Sequence, residues 1–402
     1  MVKFSFFKSL LLVFIGITIQ AGATAQQSFP EPGAHQMAEY LPLLKGKSVA
    51  VFANATSVVA NKHLVDTLKK AGINITKIFS PEHGFRGNAD AGEKVGSEID
   101  PETGIKIISL YGQHLAPTEQ ELNDVDIMVF DIQDVGVRFY TYISSLEYYM
   151  VAAMKSGKPL LILDRPNPNG FYVDGPILNS KFKSFVGMQP VPIVYGMTIG
   201  EYARMLLGEG WLGADTVKKK TGFELKVIPC RNYTHQSRYH LPVKPSPNLP
   251  DMQSIYLYPS TCFFEGTVLS EGRGTDKPFQ IFGHPTLPNI LISFKPTSRT
   301  GAKHPKLEDQ TCYGWDLSGT NEEVLKEVDN HVQVKWLMKA YELFPDKANF
   351  FLANRYINKL AGTDQLADQI FKGASETEIR KSWEPGLEAF KKTRKKYLIY
   401  PE

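Results

Sequence analysis

Two apolar rhythms run along this chain: short continuous runs, and stripes at helical spacing. Residues 48–53 (SVAVFA) form an uninterrupted apolar run, which predicts a strand buried on both faces. Residues 63–71 follow with Leu64, Val65, Leu68 and Ala71 on one helical stripe, and Gly72 stops it. Further strand-like runs lie at 75–79, 105–110, 127–131, 160–163 and 223–228. Helical segments separate them at 118–123, 144–156 and 198–207. Thr118 with Glu121, and Thr198 with Glu201, have the spacing of capping boxes. Short β-branched strands alternating with helices predict an α/β fold, a mostly parallel sheet flanked by helices on both faces.

The texture changes after about residue 240. Residues 242–250 (PVKPSPNLP) hold four prolines and exclude regular structure. Residues 260–285, rich in glycine and polar groups, read as a long ordered loop. A strand in NILISFKP (289–296) and long helical patterns at 322–343 and 375–397 predict a smaller C-terminal α+β domain. The expected division is 1–25, 26–285 and 286–402.

Residues 1–25 read as a cleaved leader. Lys3 and Lys8 precede an apolar stretch over 10–19, and Ala23 and Ala25 stand at −3 and −1 of a cleavage site before Gln26. No later stretch approaches the roughly 18 to 20 apolar residues a bilayer span needs. The expectation is a periplasmic or secreted protein with no stable membrane insertion. Without Lys3 and Lys8 the formal net charge falls from +3 to about +1. So even a balance argues against nucleic acid as partner, since phosphate contacts need a basic surface. The basic run 391–396 (KKTRKK) reads as a solvated helix face. Three cysteines, Cys230, Cys262 and Cys312, allow one disulfide at most.

In an open parallel sheet, ligands bind beyond the carboxyl ends of the strands. The strand at 75–79 runs into Pro81-Glu82-His83-Gly84-Phe85-Arg86-Gly87. The strand at 127–131 runs into a loop holding Asp131, Asp134, Arg138, Tyr140 and Tyr142, and the strand at 160–163 into Asp164, Arg165 and Asn167. These three, taken as neighbours, would bring acids and bases to one edge, whereas the strand at 48–53 ends mildly in Asn54-Ala55-Thr56-Ser57. Glu82 is the prime candidate. Partial desolvation after a buried strand favours the protonated form of a carboxyl, which suits it to donate a proton to a leaving group. His83 could donate in its place or orient it. Residues 265–276 add Glu265, Glu271, Arg273 and Asp276. No G-x-G-x-x-G follows the first strand, no G-K-[ST] closes the loose glycine loop at 266–275, no G-x-S-x-G occurs, and the histidines show no metal-ligand spacing. The expected cofactor is none, and the expected metal none.

Taken together, the segments PEHGFRG (81–87), DIQDVGVRFYTY (131–142), DRPNPNG (164–170), GMTIGEYA (196–203) and FEGTVLSEGRGTDKPF (264–279) resemble the exo-lytic β-N-acetylmuramidases of the NamZ type. The likeness extends to LAGTDQLADQI (360–370) and KKYLIYP (395–401). It implies a Rossmann-like N-terminal domain, a smaller C-terminal domain and a cleft between them. The implied activity is release of N-acetylmuramic acid from the non-reducing ends of peptidoglycan fragments. The implied catalytic acid is Glu82, assisted by Tyr140 or Tyr142. The lactyl carboxylate of such a sugar asks for an arginine fork, and Arg86, Arg138, Arg165 and Arg273 are the candidates. If the sugar's own acetamido oxygen attacks, Asp131 or Asp134 would serve as the polarising carboxylate. Asp164, Asn167, Glu265 and Glu271 complete the expected substrate contacts. A carbohydrate receptor without turnover, and an esterase or amidase acting on cell-wall decorations, remain alternatives at this level.

Overall fold

A computed structural model of the chain describes residues 29–82, 84–86, 98–213 and 223–402. Residues 1–25, expected to be a leader, and His83 lie outside the described residues.

Among the described residues seven strands make the main sheet: β1 (Ser48–Ala53), β2 (Asn74–Ser80), β3 (Glu98–Ile99), β4 (Lys106–Ser109), β5 (Ile127–Asp131), β6 (Leu160–Leu163) and β7 (Leu225–Ile228). Their spatial order is β3-β4-β2-β1-β5-β6-β7. Only the short edge strand β3 runs antiparallel. The six parallel strands, counted in chain order, lie 3-2-1-4-5-6, the doubly wound order of nucleotide-binding folds. The order reverses between β1 and β5, the point at whose carboxyl edge ligands bind in folds of this type. One expectation is corrected: β1 lies between β2 and β5, so the three motif-bearing strands are not all neighbours.

Burial on both faces explains the continuous apolar runs. On β1, Val49, Val51 and Ala53 face one core and Ala50 and Phe52 the other. On β5, Ile127 and Val129 oppose Met128 and Phe130 in the same way. One face is covered by α1 (Met37–Leu44) and α2 (Leu64–Lys70), the other by α3 (Glu119–Leu122), α4 (Tyr142–Lys155) and α5 (Ile199–Gly208). Both predicted capping boxes are formed, at the starts of α3 and α5.

The C-terminal part begins with α6 (Met252–Thr261) and carries a three-stranded antiparallel sheet, β8 (Ile281–His284), β10 (Cys312–Asp316) and β9 (Ile292–Phe294), with β10 in the middle. The core on the α4 side runs without a break from Phe52 and Phe130 to Phe264, Phe350 and Phe390, so the two parts share one apolar interior. Two long predicted helices are broken. The first splits into α7 (Asn321–Val328) and α8 (Lys335–Leu343), because Asp329 and Asn330 turn left-handed. After α9 (Tyr356–Ala361) and α10 (Gln365–Phe371), the second splits into α11 (Glu376–Lys381) and α12 (Glu384–Arg394). Pro385 sits in the first turn of α12, where its missing N–H costs nothing, but it could not continue α11. The expected loop at 260–285 contains a 3₁₀ turn, Cys262–Gly266, and the strand β8. All three cysteines are buried and free.

Candidate active site

β2 delivers Glu82 to a cavity at the carboxyl edge of the sheet. Gly84, with φ of 74°, turns the chain back two residues later, a conformation a side chain would strain. The same cavity takes Tyr111 from beyond β4, residues 139–142 from the end of the β5–α4 loop and the first residue of α4, and Glu265, Arg273 and Tyr356 from the C-terminal part. The site therefore lies between the two parts of the molecule.

Tyr111 donates its hydroxyl hydrogen to Glu82 Oε1 at 2.9 Å. Burial, and then the Glu82 carboxylate beside it, push the Tyr111 hydroxyl well up, so it remains a donor throughout the physiological range. Tyr140 and Tyr142 meet edge to face with ring centroids 4.8 Å apart. Tyr140 donates to the Pro245 carbonyl at 2.6 Å, and Tyr142 accepts from Asn54 Nδ2 at 2.8 Å. Burial raises both hydroxyls far above the ordinary tyrosine value. The mild ending of β1 is thus not idle, because Asn54 holds one of the cavity's tyrosines.

A second set of charges closes the cavity from the C-terminal side. Arg273 Nη2 donates to Glu265 Oε1 at 2.5 Å, and its Nε lies 3.5 Å from Glu271 Oε1. Lys306 Nζ stands 2.8 Å from the other Glu271 oxygen. Burial raises the Glu265 carboxyl, against the pull of Arg273. Glu271 is also buried, but Lys306 and Arg273 outweigh that and hold it low.

The structure thus brings Glu82, Tyr140, Tyr142, Glu265 and Arg273 together, with Glu271 behind Arg273. Other expected contacts are spent elsewhere. Arg86 pairs with Asp100 at 2.9 Å and Asp66 at 3.3 Å, and packs on the Phe85 ring. Arg165 grips Asp131 with a two-pronged fork, Nε to Oδ1 at 2.6 Å and Nη2 to Oδ2 at 2.9 Å, both groups fully buried. Arg138 is enclosed and gives its hydrogens to the carbonyls of Pro176, Val191 and Leu360, and burial pushes it down to about 9. Asp164 caps α5 through Thr198 and Gly200, also accepts from Tyr400, and is pushed up to about 6 by burial. Asn167 braces its own loop through the Met197 carbonyl and the Asn169 N–H. Arg86 is partly exposed but already paired, whereas Arg138, Arg165, Asp164 and Asn167 are buried and found their partners inside rather than in the cleft.

Asp134 is also internal. Its Oδ2 accepts from the Tyr195 hydroxyl and the Gly136 N–H, and burial pushes it up to about 7. An acid with a raised folded pKa holds its proton more tightly when folded. Its contribution is therefore complete below the unfolded value near 3.8 and drains away as pH rises toward 7. Asp134→Asn keeps an oxygen for both donors and carries no charge. Its melting temperature is expected to exceed that of the wild type at pH 8 and to fall less between pH 4 and pH 8. Parallel melting curves across that range would show Asp134 to be irrelevant to the pH response.

Sequence reasoning missed Tyr111, Tyr258, Phe279 and Tyr356 among the cavity walls. Tyr111 was within reach, since it follows a parallel strand at its carboxyl end. The others come from the C-terminal part, whose contact with the cavity no local pattern announces.

A cavity that offers two carboxyl groups for proton transfer and neutral phenols for hydrogen bonding, at the carboxyl edge of a doubly wound sheet, suits a glycoside hydrolase. Comparison with known proteins makes the class particular. Residues 49–253 match the N-terminal domain of exo-β-N-acetylmuramidase NamZ and residues 256–400 its C-terminal domain, so the chain belongs to the NamZ family of glycoside hydrolases. It is 39% identical over 383 residues to the peptidoglycan β-N-acetylmuramidase NamZ of Bacillus subtilis strain 168, an alignment covering 90% of this chain and 89% of that protein. Two crystal structures of DUF1343 family proteins from Bacteroides fragilis are also similar. One superposes with a TM-score of 0.84 at 46% identity, covering 93% of this chain and all of the other. The second gives 0.77 at 26% identity, covering 92% and 99%.

Proposed function

We propose that this enzyme removes N-acetylmuramic acid from the non-reducing ends of peptidoglycan fragments, outside the cytoplasm, with Glu82 as the general acid. The observation that carries the reading is Glu82 at the tip of β2, facing the cavity that also holds Arg273. Glu82 gives its proton to the departing sugar oxygen, and Tyr111 fixes Oε1 as the acceptor end of the carboxyl. Tyr140 and Tyr142 form a wall of two aromatic rings for the sugar. Arg273 is the candidate of the four arginines that lines the cavity, so it takes the lactyl carboxylate. Asp131 and Asp134 are committed to the interior, which leaves Glu265 as the carboxyl that shares the cavity with Glu82.

The direct test is a chromogenic N-acetylmuramic acid glycoside assayed beside an acyl ester. Turnover of the ester alone would move the protein to another class of hydrolase. Arg273→Lys keeps the charge that Glu265 and Glu271 need but loses the planar fork. We expect the preference for muramyl over N-acetylglucosaminyl glycosides, read as the ratio of kcat/KM, to shrink about tenfold. An unchanged ratio would remove Arg273 from carboxylate recognition.

A further inference from the structure

The charges around Arg273 balance before any substrate enters. Arg273 and Lys306 face Glu265 and Glu271, two cations against two carboxylates, all in contact. Lys306 is anchored on Glu271 and on the carbonyls of Phe264 and Thr267. Glu82 lines the same cavity as Glu265. Tyr258 on α6, Cys262 at the end of that helix, and Tyr356 on α9 are further titratable neighbours of Glu265. Burial keeps all three protonated and neutral. The cations that pull against burial at Glu265 are Arg273 first and Lys306 second, and of the two Arg273 lines the cavity.

A muramyl carboxylate that docks on Arg273 brings a third negative charge to a balanced cluster. Glu271 is the deeper of the two glutamates, with 4% of its side chain exposed, and it keeps Lys306. Glu265, 20% exposed, lies on the cavity side and holds Arg273 through one oxygen. Resting on the muramidase reading above, we infer that the substrate's carboxylate displaces Glu265 from Arg273 and that Glu265 then takes up one proton from bulk water. The proton joins a carboxylate oxygen, no bond in the sugar changes, and the cluster returns to balance. A carboxylic acid left near two anions and away from its cation is stable only in the neutral form. A sugar without the lactyl acid brings no charge and leaves Glu265 on Arg273. The exchange makes the site selective for the acidic sugar, and it supplies the cavity with a second carboxylic acid, beside Glu82, only when that sugar is present.

Calorimetric titration of the intact protein with N-acetylmuramic acid at pH 7, in phosphate and in Tris, measures the proton count, because the two buffers differ in ionisation enthalpy. The expected result is uptake of about one proton per sugar bound, and an affinity that weakens up to about tenfold per pH unit as pH rises. The methyl ester of the same sugar takes up none. Glu265→Gln binds the acid without uptake. Binding of the acid with no proton exchange in the wild type overturns the inference, and so does undiminished uptake in Glu265→Gln. If that variant does not fold, the wild-type contrast between acid and ester decides. Failure both to bind the acid and to cleave its glycosides would instead sink the muramidase reading, and the inference with it.

Discussion

Glu82→Gln is expected to lower kcat on a muramyl glycoside by roughly 10²- to 10⁴-fold, the usual contribution of a positioned proton donor. Glutamine has the same length and branching, and its amide oxygen still accepts the Tyr111 hydrogen bond at the Oε1 position. What it lacks is a proton that can leave. Affinity for N-acetylmuramic acid should stay within a few-fold, because the carboxylate fork and the aromatic wall are untouched. Such a split between turnover and binding also separates an enzyme from a sugar receptor, which has no turnover to lose. Turnover within tenfold of the wild type would remove Glu82 from the acid role and direct attention to Glu265.

The second large effect is on stability. Arg165→Met is expected to cost about 3 to 5 kcal/mol, the range seen when one partner of a buried ion pair is removed. Asp131 and Arg165 stand at the ends of neighbouring strands, β5 and β6, with at most 2% of either side chain exposed. Arg165 also donates to the Val58 carbonyl at 3.1 Å, and Ser57 donates to the Asp131 carbonyl. Removing the guanidinium strands a carboxylate in the interior beside the crevice, while methionine fills only the volume. Replacing both partners with apolar residues should recover much of the loss, since the cost lies in the unpaired charge. Chemical denaturation measures both variants. A single substitution that leaves the midpoint unchanged would mean that water reaches the pair.

The strand positions were legible because parallel strands covered on both faces must be apolar without interruption, and β1, β5 and β6 begin and end where that pattern does. The starts of α3 and α5 were legible because a capping box is a local hydrogen-bond device. The breaks after α7 and α11 were less so, since a polar helix face continues smoothly across Asp329 and Ser382 in the one-dimensional pattern.

The candidate site divides the same way. Glu82 follows β2 directly, Tyr140 and Tyr142 lie on the segment that leads from β5 into α4, and strand ends in a parallel sheet point to the ligand edge. The arginines show the limit of that rule. Arg86, Arg138, Arg165 and Arg273 all stand in motif loops, and no local feature distinguishes one that faces solvent from one that faces a buried aspartate or carbonyl. Only the packed loops assign Arg165 to Asp131 and Arg138 to three backbone carbonyls, and they leave Arg273 in the cavity.

The sequence by itself determined the α/β class, most strand positions, the caps and the place of Glu82 at the tip of β2, because each depends on contacts among residues close along the chain. The tertiary structure alone decided the strand order, which polar groups pair inside, and the meeting of Tyr111 with Glu82 and of Arg273 with Glu265. Those depend on distant segments competing for a few buried partners, and electrostatic and packing energies between them have no period that a linear pattern can carry.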